Sequence, residues 1–177
     1  SIDGTTGIDS IGQWGGLVIL GRAPTSNCSA PGATPGSATC EAQVEGTSAF
    51  YGGDSAADNS GILRYVRVMH SGFQILPNNE LNGITLAGVG TGTVVDFVQV
   101  HNSSDDGIEW FGGTVNGKYL VSAFNDDDAF DWDEGYRGKL QFLFTIQDPR
   151  VGNHAFESDG GTTPEDGQPY AIPTIYN

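Results

Sequence analysis

The sequence predicts an all-β chain wound as a right-handed parallel β-helix, and three observations carry that expectation. The composition opposes helices: 177 residues include 27 Gly and one Met, and glycine destabilises a helix interior by about 1 kcal/mol per residue while serving turns well. A unit repeats every 21 to 25 residues: LNGITLAGV at 81–89, DDGIEWFGG at 105–113, DDAFDWDEG at 127–135 and NHAFESDGG at 153–161. A second apolar run precedes each unit. A unit of this length with strands and no helix cannot bury its apolar face alone, so successive units stack over a shared core. The length fits one such segment over residues 1–177, and the open ladder edges of a stacked coil predict more protein or a like subunit at its ends.

Taken in order, residues 14–21 (WGGLVILG) read as the first strand. Cys28 and Cys40 bracket a Ser/Ala/Pro/Gly stretch with no zinc-like His/Cys company, so a disulfide closing a loop over 28–40 is the simplest account. Such a bridge implies an oxidising, extracellular setting. Residues 50–61 (FYGGDSAADNSG) form a turn-rich passage. The preceding runs at 63–68 (LRYVRV), 95–100 (VDFVQV), 118–124 (KYLVSAF) and 139–146 (KLQFLFTI) are β-branched and aromatic, bounded by turn formers. The tail, 160–177, is loop-rich, with an interrupted strand at Ile175.

Strand alternation assigns faces. Ile84, Ile108, Phe130 and Phe156 form one inward column, and Leu86, Trp110, Trp132 and Ser158 the next, which makes the tryptophans core residues. Thr85, Glu109, Asp131 and Glu157 then point outward, with three carboxylates in a row. Asp106, Asp128 and His154 form a second column at the preceding turn, flanked by Asp105, Asp127 and Asn153. Coils stack ~4.8 Å apart. Two unit charges at that distance repel by ~1 kcal/mol in water and ~3 to 4 kcal/mol at an effective dielectric of 20.

A bound cation, raised pKa values or full solvation would offset that repulsion. Calcium accepts six to eight oxygens of the types present, so Asp105, Asp106, Glu109, Asp127, Asp128, Asp131 and Glu157 are candidate Ca²⁺ ligands, although no EF-hand spacing occurs. The same carboxylates could serve as acid and base. One coil of separation, ~4.8 Å, approaches the spacing of retaining glycosidases, and two coils, ~9.6 Å, the upper end of the inverting range. A solvated acidic ridge that opposes aggregation is the third reading.

His70 and His101 lie at strand ends and are expected to be neutral and structural; the row Arg64, Asp96 and Lys118 reads as cross-strand support. The AGVGTG run at 87–92 lacks a following helix and reads as a turn, and the sequons at Asn27 and Asn102 are short enough to arise by chance. A net charge of −15 repels nucleic acid, and no run of 18 apolar residues spans a membrane.

The segments WGGLVILGRAP, DNSGILRYVRV, ELNGITLAGVGTGT, SSDDGIEWFGGTVNGKYLV and DDDAFDWDEGYRG, within residues 11–148, together resemble a family of uncharacterised bacterial secreted proteins and surface lipoproteins. The resemblance implies a pectin-lyase-like β-helix longer than this chain and a place at the bacterial surface, and it brings no catalytic residues with it. The pairs Asp105-Asp106 and Asp127-Asp128 resemble the Asp-Asp segment of polygalacturonases, whose Gly-His-Gly and basic motifs are missing here. The leading expectation is an extracellular, calcium-binding module with a polysaccharide or a like subunit as partner. A polysaccharide hydrolase or lyase using the same columns is the alternative, and a filament or surface-layer subunit the third; sequence leaves open whether the chain is an enzyme.

Overall fold

In chain order the strands are β1 (Leu17–Leu20), β2 (Ala42–Gln43), β3 (Phe50–Tyr51), β4 (Ile62–Met69), β5 (Ile84–Ala87), β6 (Val94–His101), β7 (Ile108–Phe111), β8 (Asn116–Ala123), β9 (Phe130–Asp133), β10 (Lys139–Ile146) and β11 (Thr174–Tyr176). They come from a computed structural model that describes residues 5–44, 46–75, 81–161 and 169–177. One parallel sheet has the order β1-β5-β7-β9 and the other β11-β10-β8-β6-β4. The chain alternates between them, one strand in each sheet per turn, which is a parallel β-helix.

The register follows the repeat. Ile84 pairs with Ile108 and Ile108 with Phe130, steps of 24 and 22 residues. The first coil is longer, 67 residues from Leu17 to its partner Ile84, because it carries the disulfide loop and the antiparallel β2–β3 hairpin. Ile84, Ile108 and Phe130, with Leu86, Trp110 and Trp132, fill the shared core together with Val95, Val98, Leu120 and Leu140 from the second sheet. Both tryptophans are buried, as expected of core residues.

Three expectations need correction. The first strand covers only Leu17–Leu20, because Gly15 and Gly16 press against Leu81 and the backbone of Asn82 and do not extend the ladder. The repeat at 153–161 forms only an isolated bridge, Phe130 to Phe156, and the inward column runs out there, leaving Phe156 41% exposed. The strands of the second sheet are also not continuous in phase. Val95 and Val98 both face the core, three residues apart, and the ladder skips the residue between its paired stretches. The skipped residues, Tyr65, Phe97, Tyr119 and Phe142, have φ of 54°, 53°, 54° and 59°. Each turns a one-residue corner and throws its aromatic ring outward.

Gly107 shows why the turn before the first sheet needs small residues. A Cβ there would lie 2.2 Å from Ser122 Oγ and 2.5 Å from the Ala129 carbonyl. The same close approach holds at Gly83, where the contacts are Val100 and the Gly107 carbonyl.

Candidate functional site: a covered carboxylate pocket

The outward row on the first sheet begins apolar and becomes acidic: Val18, Thr85, Glu109 and Asp131 are in register on β1, β5, β7 and β9. One position further along, Leu20, Ala87, Phe111 and Asp133 make the second outward row. The hairpin packs on the apolar part of this face. Ala42, Val44 and Tyr51 close over Ala87, with Val18, Leu20 and Phe111 at the margin. Val44, Leu81 and Phe111 thereby wall a cleft of about 280 Å³ whose remaining lining includes Asn82, Thr85 and the carboxylates.

The solvated ridge is therefore not what the fold builds. Glu109 is 9% exposed, Asp131 7%, Asp106 8% and Asp128 1%. Asp105 and Asp127 are half-buried at the rim, and Glu157 is exposed at the edge, where its N–H donates to the Phe130 carbonyl (3.1 Å). All seven candidate ligands lie in this one region. One ligand atom from each of Asp106, Glu109 and Asp131 falls within 4.8 Å of the others; so do those of Asp105, Asp106 and Asp127, and those of Asp128, His154 and Glu157.

The turn column also works as a chain of backbone acceptors. Asp106 Oδ1 accepts from the Asp128 N–H (3.0 Å), and Asp128 Oδ1 accepts from the His154 N–H (2.5 Å) and lies 3.1 Å from His154 Nδ1. Asn82 heads this column. Its amide donates to Thr85 Oγ1 (3.1 Å) and to Glu109 Oε2. Sequence reasoning missed Asn82 as a site residue, although its place in LNGI is that of Asp106 in DDGI.

Burial raises the carboxyl pKa values. Asp106 is pushed up to about 9 by desolvation, with the charges of Asp105 and Asp131 adding to it. Desolvation and then the Asp131 and Asp106 charges hold Glu109 well above the usual range. Asp131 rises to about 6, again by desolvation. Glu157 rises to about 7, chiefly through its hydrogen bond with Asp128 and then burial. Two oxygens decide what the pocket lacks. Asp128 Oδ2 and Asp131 Oδ1 are buried and accept from no N–H or hydroxyl among the described residues. The groups facing these two side chains include other carboxyls, Glu157 at Asp128 and Glu109 at Asp131. Opposed carboxyls in a desolvated site require a proton or a cation between them. The donor set is all oxygen except His154, which suits a hard divalent ion.

This architecture of stacked parallel coils with an acidic outer cleft on one sheet agrees with the sequence comparison. A family model described as a pectate-lyase like beta helix domain matches residues 5–177. The chain belongs to that family. No curated protein and no solved structure matches it. As a pectate-lyase-like β-helix domain, the chain has a carbohydrate-related role. Among its described residues no helix is long and apolar enough to cross a membrane.

A second buried acid in this pectate-lyase-like chain lies outside the expected set. Glu134, 5% exposed, accepts from Thr25 Oγ1 (3.1 Å), Asn27 Nδ2 (2.7 Å) and the Tyr51 hydroxyl. Burial raises its pKa and the bonds from Tyr51 and Asn27 oppose the rise. It ties the hairpin and the disulfide loop to the β9 end of the first sheet. The Cys28–Cys40 disulfide is formed, with Cα atoms 4.6 Å apart. Asn102 is buried and Asn27 is engaged by Glu134, so neither sequon presents a free side chain. His70 Nδ1 contacts the Ser10 carbonyl (2.5 Å), and burial lowers the pKa of His101, in line with neutral structural roles.

Proposed function

We propose that the chain is a carbohydrate-recognition module whose covered pocket binds a divalent cation, calcium being the ion its ligands suit, and that it works outside the cytoplasm, in keeping with its disulfide. The supporting observation is the pair of buried carboxyl oxygens, on Asp128 and Asp131, that receive no donor and sit among other carboxyls. A cation held by Asp106, Glu109 and Asp131, with Asp105 and Asp127 at the rim, would neutralise that charge and leave coordination positions for water or a sugar oxygen. Calorimetry with CaCl₂ tests the reading: binding in the wild type, lost in Asp131→Asn, is the expected result. No heat of binding and no calcium-dependent rise in melting temperature would overturn it.

One observation favours a second reading, a hydrolase or lyase. Glu109 and Asp131 share a hydrogen bond, so one holds a proton while the other carries charge, and such a pair can act as acid and base on a glycosidic bond. Release of reducing ends or unsaturated products from a panel of polysaccharides, abolished by Glu109→Gln, is what that reading requires.

A further inference from the structure

The second sheet differs in charge from everything around it. Of the seven Lys and Arg in the chain, Arg64, Arg67, Lys118 and Lys139 lie on its strands, where the one carboxylate is Asp96. The strands of the first sheet carry Glu109, Asp131 and Asp133 and no cation. Arg64 pairs with Asp96 at 3.3 Å, while no carboxylate of the described residues pairs with Arg67, Lys118 or Lys139, all exposed. A cationic face on a chain of net charge −15 is a segregated feature and not a by-product of composition.

An aromatic ridge runs up the same face. The corner residues Tyr65, Phe97, Tyr119 and Phe142 stack with ring centroids 4.9, 4.5 and 4.9 Å apart and planes within 18° of parallel. Their exposures are 75%, 40%, 42% and 42%. The left-handed conformation costs a side-chain-bearing residue about 1 to 2 kcal/mol, and each ring pair returns about 0.5 to 1.5 kcal/mol. Stacking thus offsets part of the corner strain, yet glycine or asparagine would turn the corner without either. Because the rings stack face to face, they present their edges, which carry positive partial charge, to the solvent. Grooves of about 370 Å³ flank the ridge, one lined by Asn116, Lys118, Lys139 and Gln141, the other by Gln99, Val121 and Phe144.

We propose that this ridge, with its flanking cations and amides, is a docking surface for an anionic polysaccharide lying along the solenoid axis. Positive ring edges and ammonium or guanidinium groups attract the acid groups, the amides reach sugar hydroxyls, and a surface repeating once per coil meets a polymer that also repeats. A second copy of the chain is a poorer occupant, since four of its carboxylates are enclosed under the hairpin. Nucleic acid is poorer still, because its dense phosphate charge meets the strong negative charge of the rest of the molecule. The surface is independent of the carboxylate pocket.

Affinity electrophoresis in gels containing polygalacturonate, dextran sulfate or uncharged dextran tests the proposal, with EDTA throughout so that no cation bridge through the pocket contributes. The expected result is retardation by at least one anionic polymer and none by dextran, weakening as salt is added. Arg67→Gln/Lys118→Gln/Lys139→Gln should weaken the interaction by at least about tenfold. Phe97→Asn/Tyr119→Asn, which keeps residues able to adopt the left-handed corner, should weaken it as well. Arg22→Gln/Arg137→Gln, folded to the same melting temperature, should leave it unchanged. Retardation in neither anionic gel, or equal retardation of the wild type and both ridge variants, would overturn the proposal. So would preferential binding of oligothymidylate, or a dimer in sedimentation that the triple substitution dissolves.

Discussion

Glu109 and Asp131 stand side by side on adjacent coils, paired in register, and their carboxyl groups share a hydrogen bond that only a retained proton can supply. Glu109→Gln replaces that proton with an amide N–H and keeps an oxygen for Asn82. In EDTA at pH 8 the variant should be more stable than the wild type by about 1 kcal/mol, since a hydrogen bond to a charged group replaces carboxyl repulsion. Urea denaturation of both proteins measures it. Its calcium binding should fall at the same time, so that stability and cation affinity move in opposite directions.

The pocket also sets a pH dependence. The folded pKa values of Asp106 and Asp131, about 9 and about 6, lie above an unfolded value near 3.9. A raised folded pKa contributes stability that is complete below the unfolded value and is lost as pH rises through the folded one. In EDTA the melting temperature should therefore fall from pH 5 to pH 9. For a chain of this size each 1 kcal/mol is worth about 2 to 4 °C. Saturating calcium should flatten the decline, because the cation replaces the protons. A melting temperature that rises over this range in EDTA would contradict the burial of these acids.

Reduction of Cys28–Cys40 should destabilise the fold by about 2 to 4 kcal/mol, the range for a loop of this size. The bridge anchors the segment from which Thr25 and Asn27 reach Glu134. Melting with and without a phosphine reductant gives the difference, which should vanish in the Cys28→Ser/Cys40→Ser variant.

Tyr51→Phe removes one of the three donors that hold Glu134 and leaves that carboxylate buried. The cost should be about 1 to 3 kcal/mol by urea denaturation, and a change below about 0.5 kcal/mol would show that the hydroxyl contributes nothing. Glu134→Gln should cost less than Glu134→Ala, which strands all three donors.

The repeat in the sequence was enough to reach the fold, the inward columns and the in-register row Thr85, Glu109 and Asp131, because stacked coils turn periodicity directly into neighbourhood. The cover over that row was not legible. Ala42, Val44 and Tyr51 belong to strands of two residues and their flanks, too short for alternation to show, in the one coil that departs from the repeat. Glu134 was missed for a related reason: its donors, Thr25, Asn27 and Tyr51, are more than 80 residues away in the chain. The aromatic corners recur in plain sight at 65, 97, 119 and 142, but conformational preference argues against placing Tyr or Phe in left-handed backbone, so they read as ordinary strand residues.

Those corners act as reading-frame markers. Each separates two stretches whose alternation restarts on its far side, so deleting Tyr119 alone would put the remainder of its strand out of frame and turn Leu120 outward and Val121 inward. Because each coil is keyed to its neighbours residue by residue, the fault would be confined to one turn, as a dislocation is confined in a crystal. Whole coils can be gained or lost between such markers without disturbing the lattice, whereas a single residue cannot, and length variation in this architecture should come in units of a full turn.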